Sequence, residues 1–145
     1  MSRIVIIDDE PVLRLTFRVM LEDEGHEVWD AENGRVGLAI CRKCKPDLVL
    51  TDMIMPEQEG TETLRQLRQE FPALPVIAMS GAAPARPEDC PQDQKNLRFV
   101  MKPLDRPELT RLIKEMLSNS HKRGEHLASM RLGQPTTVHP LSVFE

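Results

Sequence analysis

Four short apolar runs, each ending in a polar side chain, constrain this chain more than any other feature. Leu48-Val49-Leu50-Thr51 ends in Asp52, and Arg3-Ile4-Val5-Ile6-Ile7 ends in Asp8-Asp9-Glu10. Pro75-Val76-Ile77-Ala78-Met79 ends in Ser80-Gly81, and Arg98-Phe99-Val100-Met101 ends in Lys102-Pro103. Runs this short and this apolar read as strands buried on both faces, as in a parallel sheet covered by helices. One acid after a strand proves little, because many begin a turn or cap a helix. Four strands that each deliver a polar group prove more. In a parallel sheet their carboxyl ends share one edge, where open α/β sheets hold their ligand crevice.

The segments between these runs have helical periodicity. Pro11 fits the first turn of a helix whose Leu13, Phe17, Met20 and Leu21 face the sheet, and Gly25 fits its left-handed end. Glu27-Val28-Trp29-Asp30-Ala31 is a more polar strand suited to a sheet edge, and Asn33-Gly34 turns into a helix with Val36, Leu38, Ala39 and Ile40 as its apolar positions. A third helix after Gly60 turns Leu64, Leu67 and Phe71 inward and Arg65, Arg68 and Glu70 outward. In the last helix, Asp105 and Glu108 are spaced as a capping box, Pro107 lies in the first turn, and Leu109, Leu112, Ile113, Met116 and Leu117 form the buried stripe. Strands alternating with helices give an α/β fold.

The set Asp8, Asp9, Asp52, Ser80 and Lys102, in this order and spacing, resembles the receiver domain of bacterial two-component response regulators. The resemblance covers residues 2 to 118. It implies a flavodoxin-like, doubly wound five-stranded parallel sheet of order 2-1-3-4-5 with flanking helices. It also implies Mg²⁺ held by Asp9 and Asp52, with Asp8 helping through water and the backbone carbonyl of Ile54 completing the protein ligands. Asp52 becomes the phosphoacceptor, assisted by Lys102 and Ser80, and Ser80 and Phe99 become the switch pair. The implied donor is the phosphohistidine of a sensor histidine kinase or histidine phosphotransfer protein, and the output is altered binding of a downstream protein. Such a chain is no enzyme beyond its own phosphotransfer and dephosphorylation.

The chemistry agrees with the residue types. Three crowded carboxylates repel one another unless a cation sits between them, and a hard divalent ion with oxygen ligands suits a site that also handles phosphate. A structural acidic cluster paired with Lys102 would explain the charge balance, but not the polar group on each of four strand ends. Phe99 lacks the phenol a Tyr would offer, so its readout is steric and apolar; permanent burial in the core is the alternative. Ile54, two residues beyond Asp52, and Ala82, two beyond Ser80, cannot hydrogen-bond an attacking water, so slow intrinsic dephosphorylation is expected, and Ile54→Asn should shorten the phosphoryl lifetime.

Two regions depart from the family pattern. Pro84, Pro87 and Pro91 cannot share one continuous helix, so the fourth helix is expected to be disrupted into a loop from about Ala82, with at most a short helical piece from Pro91 to Lys95. Residues 119 to 145 show no sustained period and read as a flexible tail without an output domain, with a frayed continuation of the last helix to Met130 as a variant. A docking segment anchored by Leu141, Val143 and Phe144 is the other reading of that tail.

The totals fit a single domain: 145 residues, 40% hydrophobic and 29% charged, with a formal net charge of −4. That charge leaves no basic footprint for direct DNA binding, and no apolar run approaches the roughly 18 residues of a membrane span. A cytoplasmic, stand-alone receiver is the expectation. Cys41-Arg42-Lys43-Cys44 lies late in a helix, away from the helix starts where reactive CxxC thiolates are stabilised, so reduced, packed thiols are expected. Two other classes stay open: an adaptor that binds partners without phosphorylation, and a phosphohydrolase with an aspartyl intermediate. The second usually has another acid two residues after the nucleophile, where this chain has Ile54.

Overall fold

The computed structural model describes residues 2–53, 59–80, 96–102 and 105–132, excluding the side chains of 59–61 and 120–132. In chain order the elements are β1 (Arg3–Ile7), α1 (Pro11–Asp23), β2 (Glu27–Ala31), α2 (Gly34–Cys44), β3 (Leu48–Asp52), α3 (Glu59–Glu70), β4 (Val76–Ser80), β5 (Leu97–Met101) and α4 (Arg106–Leu132). The strands form one parallel sheet in the order β2-β1-β3-β4-β5, the expected topology.

The period-2 alternation of side chains splits the core into two layers. Val5, Ile7, Val49, Val76 and Ala78 face α2 and α3, where Leu38, Cys41, Leu64 and Leu67 cover them. Ile4, Ile6, Leu48, Leu50, Ile77 and Met79 face α1 and α4, under Phe17, Leu21, Leu109, Ile113 and Met116. Each large aliphatic side chain so buried contributes about 1.5–3 kcal/mol of transfer free energy. The central strands β3 and β4 are buried along their whole length, whereas the edge strand β2 is only partly covered.

Local signals are met at most element ends. Pro11 opens α1, and Gly25 takes φ +94° just past it. The Asn33 side chain accepts from the Val36 amide at 2.9 Å, and Asp105 Oδ1 accepts from the Glu108 amide at 2.9 Å, capping α2 and α4. The end of α2 carried no such signal: Lys45, not a glycine, takes the left-handed conformation there with φ 50°.

Two expectations are corrected. Ala39 is exposed; the inward positions of α2 are instead Gly34, Gly37, Leu38 and Cys41, with Val36 and Ile40 at the margin. Arg68 turns inward, its guanidinium donating to the carbonyls of Leu74 at 2.7 Å and Pro72 at 3.0 Å, so it satisfies the backbone of the α3–β4 turn. The last helix runs on to Leu132, close to the continuation to Met130 read as a variant from the sequence. Ile54, Ala82, the Pro84, Pro87 and Pro91 segment, Pro103, and Leu141, Val143 and Phe144 lie outside the described residues. Among the described residues, no helix is long and apolar enough to cross a membrane.

Candidate functional site

The chain leaves β1 toward β2 on one side and returns to β3 on the other. The crevice therefore opens at the carboxyl edge between β1 and β3, where the connections diverge. Asp8 follows β1 directly, its amide donating to the Ala31 carbonyl at 3.1 Å. Its Oδ1 accepts from the Glu10 amide at 2.9 Å, an Asx-type turn that swings the chain into α1. Asp52 is the last residue of β3, paired in register with Met79, and Ser80 lies one residue beyond on β4. The Lys102 amide donates to the Ser80 carbonyl at 2.7 Å, which carries the β4–β5 ladder one step past the strand ends and fixes where the lysine emerges.

The acids predicted from separate strands do converge. Asp8, Asp9 and Asp52 each offer a carboxylate oxygen within 4.8 Å of the others. Lys102 Nζ lies 3.3 Å from Asp52 Oδ2, 3.5 Å from Asp8 Oδ2 and 3.9 Å from Glu10 Oε1. Asp8, Asp52 and Ser80 are buried, Asp9 is half-buried and Glu10 is exposed, so Asp9 and Glu10 form the solvent side of the site.

Three carboxylates against one ammonium leave two negative charges among those four groups, with Glu10 adding a further acid at the rim. The donor set is all oxygen and spaced for one small ion, so the residues fit a hard divalent cation. Ser80 stands at the same edge by register, and Phe99, paired with Ala78, is half-buried against the α2–α3 side of the core. Two residues of this neighbourhood were not singled out as functional from sequence. Glu10 touches Lys102 at the rim, and Arg14 Nη1 donates to the Asp8 carbonyl at 2.8 Å. A helical Arg six residues after an acid has no sequence signature of its own.

The cysteine pair lies in the last turns of α2, with Cys41 buried and Cys44 half-buried. Cys41 and Cys44 are free thiols; burial pushes Cys41 up to about 12, and burial also raises Cys44.

Comparison with known proteins agrees with this geometry. The family model of the response regulator receiver domain matches residues 4–114. The chain is 37% identical over 120 residues to the protein PilH of Pseudomonas aeruginosa, with 81% of this chain and 99% of that protein covered. A CheY-like receiver domain protein from Methanospirillum hungatei superposes with a TM-score of 0.75 at 30% identity, covering 85% of this chain and 98% of that one. The response regulator TrrA of Thermotoga maritima, solved in complex with Mg²⁺-BeF, gives a TM-score of 0.68 at 28% identity, covering 80% of this chain and 99% of that one. With the expected sheet order, the converged acids and a match over most of its length, this chain belongs to the response regulator receiver domains of two-component signalling.

Proposed function

We propose that Asp52 is the phosphoacceptor of a signalling switch, loaded from a phosphohistidine on a sensor kinase or phosphotransfer protein and read by a downstream protein. The observation that carries the reading is the placement of Asp52: within 4.8 Å of the Asp8 and Asp9 oxygens and 3.3 Å from the Lys102 ammonium. Asp9 and Asp52, with Asp8 behind them, would hold Mg²⁺, a reading supported by the oxygen-only donor set and by the Mg²⁺ in the related TrrA complex. When bound, the ion supplies charge neutralisation for the phosphoryl oxygens.

The remaining steps belong to the chain's own side chains. An Asp52 carboxylate oxygen attacks phosphorus in line; the new O–P bond forms as the P–N bond to the donor imidazole breaks. The bonding pair returns to the imidazole nitrogen. Lys102 offers its ammonium to the phosphoryl oxygens, and the Ser80 hydroxyl donates to them from the neighbouring strand. This is catalysis by positioning and preorganised charge, with the acceptor consumed in a single turnover. Phe99, behind Ser80 on β5, would relay the change to the surface.

The test is intact mass after incubation with a small-molecule phosphodonor and Mg²⁺. One phosphoryl group per chain is expected on the wild type and none on Asp52→Asn. Steady release of many phosphates without an adduct would favour a phosphohydrolase instead. Full labelling of Asp52→Asn would remove Asp52 from the role.

A further inference from the structure

We infer that Arg14 is a positioning residue for the acid pair, an inference that rests on the metal-binding reading above. Arg14 stands in the second turn of α1, and its side chain is mostly buried. Nη1 donates to the Asp8 carbonyl at 2.8 Å, while Nε lies 3.7 Å from Asp30 Oδ2 on β2. The Asp8 carbonyl belongs to the peptide that joins Asp8 to Asp9, and a peptide unit is planar. Holding that oxygen therefore fixes ψ of Asp8 and φ of Asp9 together, and with them the relative aim of the two carboxylates. The Asp8 amide is pinned at the same time by the Ala31 carbonyl. The backbone at the metal-facing turn is thus gripped from β2 on one side and from α1 on the other.

The bland reading of Arg14 is a tether between α1 and β2 through Asp30. Arg18 provides the control: its Nη1 lies 3.4 Å from the same Asp30, at Oδ1, while its Nε donates to Glu22 Oε2 at 3.0 Å within its own helix. If tethering were all that mattered, losing either arginine would act alike. If the grip on the Asp8–Asp9 peptide matters, only Arg14 should reach the metal site.

The experiment is Mg²⁺ titration calorimetry on the full chain, with thermal unfolding of every variant alongside. Arg14→Gln should weaken Mg²⁺ binding about tenfold, in the range seen when groups supporting a ligand are lost. Arg14→Lys, which keeps the charge and one donor, should recover part of that loss, and Arg18→Gln should stay within about twofold of wild type. Should Arg14→Gln fail to fold, Asp30→Asn loosens the same guanidinium and should weaken binding by a smaller factor. Wild-type affinity in Arg14→Gln, or an equal loss in Arg18→Gln, overturns the inference. Absence of Mg²⁺ binding by the wild type overturns the functional reading, and this inference with it.

Discussion

Lys102 is shared among three carboxylates, and the sharing decides what its loss should do. The ammonium lies within 3.3–3.9 Å of Asp52, Asp8 and Glu10, so it partly neutralises the cluster before any phosphoryl group arrives. Coulomb attraction at this separation is worth about 1–4 kcal/mol at the effective dielectric of water to protein surface. Lys102→Met should therefore strengthen Mg²⁺ binding, by up to about tenfold, because a competing cation has gone. The same variant should take up phosphate roughly 10²–10³ times more slowly, the usual cost of removing one preorganised donor from a developing anion. Calorimetry for the first and time-resolved intact mass for the second separate the two effects. A fall in both together would mean that the lysine holds the site's shape rather than its charge.

At the scale of the element, α2 meets β1 through a glycine. A Cβ at Gly37 would lie 2.4 Å from Ile7 Cδ1 and 2.6 Å from Ile7 Cγ1, so Ile7, fully buried in the packed core, would have to shift. Helix propensity favours Ala over Gly by about 1 kcal/mol. Overpacking a filled core costs about 1–3 kcal/mol, so the clash outweighs the propensity. Gly37→Ala should lower the unfolding free energy by about 1 kcal/mol in urea titration; a rise would show that α2 can shift outward at no cost. Because Ile7 immediately precedes Asp8, the same variant is expected to disturb the acid pair more than a surface change of equal cost.

For the molecule as a whole, stability should fall on both sides of neutrality, through two different groups. Burial lowers His26 below its ordinary 6.5, helped by the chain's amino terminus and opposed by Glu24. The unfolded chain then takes up the proton first, so stability present above pH 6.5 is lost as pH falls toward the folded value. Cys41 works in the opposite direction. Burial raises it from 9.0 to about 12, so below pH 9 both states keep the proton and above it the unfolded state releases its proton first. Stability should therefore decline progressively between pH 9 and about 12. Urea midpoints measured across pH should flatten on the acid side in His26→Gln and on the alkaline side in Cys41→Ala; an unchanged slope in either variant removes that residue as the cause. Arg42–Glu70 and Arg98–Glu115, both fully at the surface, hold their carboxyls below the ordinary range by hydrogen bonding and add to the acid limb in direction only.

By itself the sequence determined the alternation of strands and helices, the sheet order through the family resemblance, and the five polar residues at the strand ends. These are local facts: apolar runs of five residues, a Pro at a helix start, an Asp three residues before a Glu. Only the tertiary structure decided that Arg68 turns inward to satisfy the Leu74 and Pro72 carbonyls, that Ala39 faces water, and that Arg14 grips the Asp8–Asp9 peptide. Each of these depends on which backbone oxygen or neighbouring helix lies within a few ångströms, and spacing along one chain does not contain that distance. The convergence of Asp8, Asp9, Asp52 and Lys102 needed both. The strand ends supplied the groups, and a parallel sheet with β1 beside β3 brought them to one edge.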